Sequence, residues 1–128
     1  MSYDMSKVLG VPYEEAVERA REALQAEGFG VLTEIDVKAT LKKKLDVDFR
    51  KYVILGACNP PLAYQALQAE PNIGLLLPCN VIVQELDEGT AQVSAIDPIS
   101  ALGVVANEGL ASMASQVRDK LQRVMDDL

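Results

Sequence analysis

A nearly unbroken apolar run, Lys51-Tyr52-Val53-Ile54-Leu55-Gly56-Ala57-Cys58, stops abruptly at Asn59-Pro60-Pro61. A short run of β-branched and aromatic side chains closed by proline reads as a strand, and its lack of polar alternation predicts a central strand with both faces covered. Proline disfavours the helical region for the residue before it, so Asn59 and Pro60 are expected to stay extended and a helix to begin at about Pro61. Leu62, Ala63, Ala66 and Leu67 continue that helix as one apolar stripe until Glu70-Pro71-Asn72 ends it. An echo of the strand end then follows at Leu77-Pro78-Cys79-Asn80, and the two Cys-Asn pairs hold the only two cysteines of the chain.

The other elements are read around this strand. Tyr3 to Val8 alternates weakly as a strand, with Tyr3, Met5 and Lys7 on one face. After Pro12, Tyr13, Val17, Ala20 and Leu24 recur at helical spacing, and Gly28 stands where a helix-ending glycine belongs. Phe29 to Asp36 reads as a strand with Val31, Thr33 and Ile35 on one face and Leu32, Glu34 and Asp36 on the other. Val37, Leu41 and Leu45 suggest a short helix, and half of the basic residues lie between Lys38 and Lys51. That cluster is either an anion-binding patch or a solvated helix face, and the second reading is preferred.

Cys79 to Leu86 and Thr90 to Ile96 form a hairpin around Asp87-Glu88-Gly89. Asp97-Pro98 stops the second strand, and the stretch to Glu108 is apolar without clear period. Leu110, Met113, Ala114, Val117, Leu121, Val124 and Leu128 then draw a long helical stripe in which methionine is packing. The order β-α-β-(short α)-β-α-β-β-α predicts a single α+β domain over residues 1–128, with one mixed or mostly antiparallel sheet of about five strands covered by helices.

Composition excludes more than it selects. The net charge of −7 opposes a nucleic-acid partner, since such binding rests on Lys and Arg neutralising phosphates. Absence of histidine removes Ser-His and Cys-His nucleophile pairs and the imidazole ligands of most catalytic zinc sites. No apolar run is long enough for a membrane helix, and no export signal opens the sequence, so a cytoplasmic protein without membrane partners is expected. Two cysteines suit a reducing compartment.

A candidate site lies at the proline-framed ends. With a three-residue hairpin loop, Asp97 falls opposite Cys79; with a two-residue loop it falls opposite Asn80. Cys58 joins them if its strand pairs antiparallel with the one beginning at Cys79, and lies at the far end of the sheet if the connection is a parallel crossover. The antiparallel arrangement is favoured, because the short helix descends and the following residues can climb back. Cys58, Cys79 and Asp97 are then a candidate metal set, although their spacing matches no zinc-ribbon or finger pattern. Asn59, Asn80, Glu34 and Asp36 complete the ligand-binding candidates. A carboxylate beside a thiol disfavours the thiolate, which argues against a highly reactive nucleophile.

Gly28-Phe29-Gly30-Val31-Leu32-Thr33-Glu34-Ile35-Asp36, Leu55-Gly56-Ala57-Cys58-Asn59-Pro60, Leu76-Leu77-Pro78-Cys79-Asn80-Val81 and the closing Asp97-Pro98 resemble the signature segments of the prokaryotic domain of unknown function numbered 302. The resemblance implies an α+β domain that tends to form homodimers, with no established activity and no agreed catalytic residues. In that family the Asn-Pro and Leu-Pro frame is shared more widely than the cysteines, which implies that thiol catalysis is not obligatory. The expected function is therefore a homodimeric module binding a small molecule or metal ion near Cys58, Asn59, Cys79 and Asp97. The alternative is a thiol-dependent redox or sulfur-transfer enzyme. Ile73 to Leu77 or Ile99 to Val105 is the expected subunit contact, both being greasier than surface loops should be.

Overall fold

The computed structural model describes residues 2–128. Its five strands, β1 (Asp4–Leu9), β2 (Gly30–Asp36), β3 (Tyr52–Cys58), β4 (Cys79–Asp87) and β5 (Thr90–Ile96), form one antiparallel sheet in the order β1-β5-β4-β3-β2. Helices α1 (Tyr13–Ala26), α3 (Pro60–Ala69) and α5 (Ala111–Asp126) supply most of the buried helical residues, while α2 (Val37–Leu45) buries none of its side chains.

One face of the sheet makes the core. Pairing sets Leu55 beside Val81 and Val81 beside Ala95, with Val53, Val83 and Val93 in the next row. All six are nearly inaccessible and pack with Ala16, Ala20 and Leu24 of α1 and with Val117, Leu121 and Val124 of α5. Amphipathic helices laid on one face of an antiparallel sheet give the α+β arrangement that the element order predicts. The chain's first strand reaches this sheet by pairing with β5, so β1 is one edge and β2 the other.

The second face corrects one expectation. β3 is interior in strand order, yet only the face that carries Val53, Leu55 and Ala57 is buried along its whole length. On the other, Ile54 is half-buried between Ile35 of β2 and Ile82 of β4. The three isoleucines shield one another across neighbouring strands, so a continuously apolar strand persists although this face is only partly covered. Farther along, Ser6 and Ser94 share a hydrogen bond of 2.7 Å on this same face.

Three local findings also differ from the sequence reading. The helix after β3 begins at Pro60 rather than Pro61: Asn59 is its N-cap, and both prolines occupy the first turn, where no amide hydrogen is needed. In β2 the register slips between Val31 and Thr33, so Leu32 is bulged out and Thr33 joins the face opposite to Val31. The apolar connections are not wholly irregular, since Pro71–Leu76 and Glu108–Leu110 form 3₁₀ turns and Pro98–Leu102 forms a short helix, α4. Half of the Lys38–Lys51 cluster is engaged locally. Lys42 pairs with Asp46 and Asp48, Lys51 with Glu14, and Lys38 donates to the Phe49 carbonyl. No helix among the described residues is long and apolar enough to cross a membrane.

Candidate functional site

The antiparallel pairing of β3 with β4 places Ala57 opposite Cys79 and therefore brings both Cys-Asn segments to the same end of the sheet. α3 starts from one segment and α4 from the far end of β5, just past Asp97, while α5 crosses behind them. Between these elements lies a cavity of ≈ 350 Å³ lined by both cysteines, Asn59, Leu62, Ala66, Leu102, Met113 and Val117, among others. Pro78, joined to Leu77 by a cis peptide bond, forms part of the rim. Phe29, Leu32 and Thr33 close the β2 side. No lining side chain carries a charge, and apart from the thiols only Asn59 and Thr33 offer side-chain polar atoms.

Both cysteines are free thiols. Burial pushes the Cys79 thiol up to about 11 from its ordinary 9.0, and the neighbouring Cys58 adds to the rise. Desolvation penalises the thiolate, and a second sulfur supplies no positive charge to recover it. At neutral pH Cys79 is a protonated, apolar wall atom.

Asn59 has a divided role. Its Oδ1 accepts a long 3.4 Å hydrogen bond from the Leu62 amide, which caps α3. Its Nδ2 lies over Gly28, 3.3 Å from where a β-carbon would stand, and donates to no partner among the described residues. Gly28 has a φ of +84, so glycine serves both the left-handed backbone and this close approach.

The remaining sequence candidates are engaged elsewhere. Asn80 lines a second cavity of ≈ 220 Å³ together with Leu75, Leu76, Pro98 and Ala101, on the other side of the Pro78 rim. The β4–β5 register follows the three-residue count along most of its length, Val81 facing Ala95, although a bulge near Leu86 leaves Asp87 facing Thr90 at the turn. Asp97 nevertheless does not line either cavity. Its carboxylate caps α4 by accepting from the Ile99 amide at 2.9 Å and accepts from Arg118 Nε at 3.2 Å. Glu34 pairs with Arg21, and Asp36 caps α2 by accepting from the Ala39 amide at 2.9 Å. Among the described residues no three His, Cys, Asp or Glu side chains are grouped to hold a metal ion, so Cys58, Cys79 and Asp97 are not gathered as a ligand set.

Sequence reasoning missed the walls contributed by α4 and α5. Met113 and Val117 read as packing, which they also are; that the same stripe borders a cavity depends on how far α3 stands from α5, a distance no local pattern encodes. The missed signal at Asp97 was local: an Asp before Pro is a helix-start signature, with Asp as N-cap and Pro in the first turn.

A search of curated proteins finds no match. Among solved structures, the chain is similar to that of an uncharacterized conserved DUF302 protein from Bacillus stearothermophilus, with 29% identity, 99% of this chain and 98% of that one covered, and a TM-score of 0.90. The profile of the domain of unknown function DUF302 matches residues 5–128, so the chain belongs to the DUF302 family.

Proposed function

We propose that this domain is a binding module for a small apolar molecule, held in the cavity between β3, α3, α4 and α5. The observation that carries this reading is the lining: a space of ≈ 350 Å³ walled by apolar side chains and two thiols, with no charge. That volume falls within the ordinary range for small-molecule pockets, and a few polar atoms on an apolar wall is the usual composition of such sites. A small organic molecule is favoured over a metal ion, because the carboxylate that the hairpin register sets nearest Cys79, Asp97, is held by Arg118 and by its own helix. Thiol chemistry at Cys79 is disfavoured by its raised pKa. Free thiols at both positions accord with a reducing compartment such as the cytoplasm.

The proposal includes a homodimer. Leu75 is 87% exposed and Val104 77%, whereas Ile73 and Leu102 within the same two segments are buried. Leu76 and Ala101 border the second cavity together, which makes the two segments one continuous apolar region suited to a second copy. Light scattering with Leu75→Glu tests this; a parent that is monomeric at tens of micromolar would end it.

Titration with N-phenyl-1-naphthylamine, a neutral apolar fluorophore, tests the binding reading. Saturable enhancement is expected, with at least tenfold weaker binding in Ala63→Phe, whose ring would enter the cavity from a half-buried position on α3. Absence of saturable binding, or equal affinity in a folded Ala63→Phe variant, would overturn it.

A further inference from the structure

Resting on the binding reading above, we infer that the ligand is electrically neutral and presents a hydrogen-bond acceptor, such as a ketone, ester or amide carbonyl, to the side-chain amide of Asn59. Two independent features of the cavity carry this.

The first concerns anions. A helix start beside a pocket ordinarily offers free amide hydrogens to a carboxylate or phosphate. The α3 start offers none. Pro60 and Pro61 have no amide hydrogen, the Leu62 amide is taken by Asn59 Oδ1, and the Ala63 amide donates to the Asn59 carbonyl at 2.9 Å. No Lys or Arg lines the cavity, so an anion entering it would lose hydration with no positive charge to offset the loss. A cation fares no better, because no carboxylate lines the cavity either.

The second concerns polarity of the opposite sense. Asn59 Oδ1 accepts from the Leu62 amide at 3.4 Å, which orients the side chain and leaves Nδ2 as the end without a protein partner among the described residues. Gly28 beneath it has no β-carbon and so leaves the room in which Nδ2 lies. A committed acceptor and an idle donor on an apolar wall select a ligand that accepts. Thr33, the other polar side chain of the lining, lies against Gly56 at the rim and is likewise neutral.

Three phenyl compounds of nearly equal size separate the possibilities: 4-phenylbutan-2-one, 3-phenylpropanoate and butylbenzene, titrated at pH 7.5 into the full chain and followed by NMR chemical shifts. The ketone is expected to bind at least tenfold more tightly than the carboxylate. Asn59→Ser keeps a capping oxygen for α3 but removes the amide donor, and should weaken ketone binding about tenfold while changing butylbenzene binding less than twofold. Carboxylate binding as tight as ketone binding would overturn the inference. So would ketone affinity unchanged in Asn59→Ser, and in that case butylbenzene binding would leave the apolar-pocket reading standing. If none of the three binds, both the inference and the reading beneath it fall.

Discussion

Gly56 lies directly beneath Pro78: a β-carbon built on Gly56 would stand 2.8 Å from the Pro78 Cγ and would also meet the Thr33 hydroxyl. The Thr33 side chain can rotate away, but a proline ring cannot. Glycine in the middle of β3 is therefore what allows the segment before β4 to close down on the sheet and form the rim between the two cavities.

The consequence is testable by substitution. Gly56→Ala should destabilise the fold by about 1–3 kcal/mol, the usual cost of overpacking a tight contact. Gly30, on the adjacent strand, has no atom within 4 Å of its would-be β-carbon, and Gly30→Ala should shift stability by no more than about 0.5 kcal/mol. Urea unfolding midpoints of the two variants provide the comparison, and equal midpoints would show that the rim relaxes freely.

Lys7 is placed, by its pairing with Val93, in a core-facing row of the sheet, yet its ammonium donates to the Leu128 carbonyl at 2.9 Å and to the Met125 carbonyl at 3.4 Å. The long side chain runs out beneath α5 and delivers positive charge to that helix's C-terminal carbonyls. Lys7→Met keeps the apolar stem and removes the charge; it should cost about 1 kcal/mol in thermal or urea unfolding. Hydrogen exchange should quicken in the last turn of α5 and remain unchanged in α1.

Much of this architecture is legible in residue patterns. Period and punctuation locate every strand and the long helices, because a half-buried strand must alternate and a covering helix must carry a stripe. The antiparallel descent from β3 and return through β4 follows from the brevity of α3 between prolines, and the position of the two cysteines at one end of the sheet follows from that. What local pattern does not encode is which strands pair across long separations and where helices stand apart. The β1–β5 pairing joins the two ends of the chain's sheet, and the cavity exists only because α3, α4 and α5 converge past the strand ends. The bulge at Leu32 also escapes strict alternation, which would have set Thr33 beside Val31 instead of Gly56.

Asp97 illustrates a residue whose surroundings favour structure. Capping α4 and pairing with Arg118 occupy its two carboxylate oxygens separately, Oδ1 toward the Ile99 amide and Oδ2 toward the guanidinium. Asp97→Asn retains a capping oxygen and should cost less than about 1 kcal/mol, since Arg118 is partly exposed and its ion pair is screened. Asp97→Ala removes both and should cost about 1–2 kcal/mol. Neither change should alter the alkylation rate of Cys79. A Cys79 rate that rises severalfold in Asp97→Ala would instead couple the carboxylate to the cavity.

The raised Cys79 pKa makes stability depend on alkaline pH in a defined direction. In the unfolded chain the thiol ionises near 9.0, but in the folded domain burial and the neighbouring Cys58 hold it protonated up to about 11. A group whose folded pKa lies above its unfolded value contributes its full share of stability below the lower value and loses it as pH climbs through the higher one. Burial of the protonated thiol is thus unopposed at pH 8, and from about pH 9 to 11 deprotonation increasingly favours the unfolded chain. The loss amounts to about 2–3 kcal/mol at about 1.4 kcal/mol per unit. Tyr13 is also raised, to about 12, by burial and by Asp36, Glu34, Glu14 and Glu85 around it, and should steepen the decline only above pH 10. Urea unfolding at pH 8, 9.5 and 10.5 should therefore show a falling midpoint in the parent and a shallower fall in Cys79→Ala. Parallel slopes in the two proteins would mean that the sulfur reaches solvent freely and that the cavity wall at Cys79 is open.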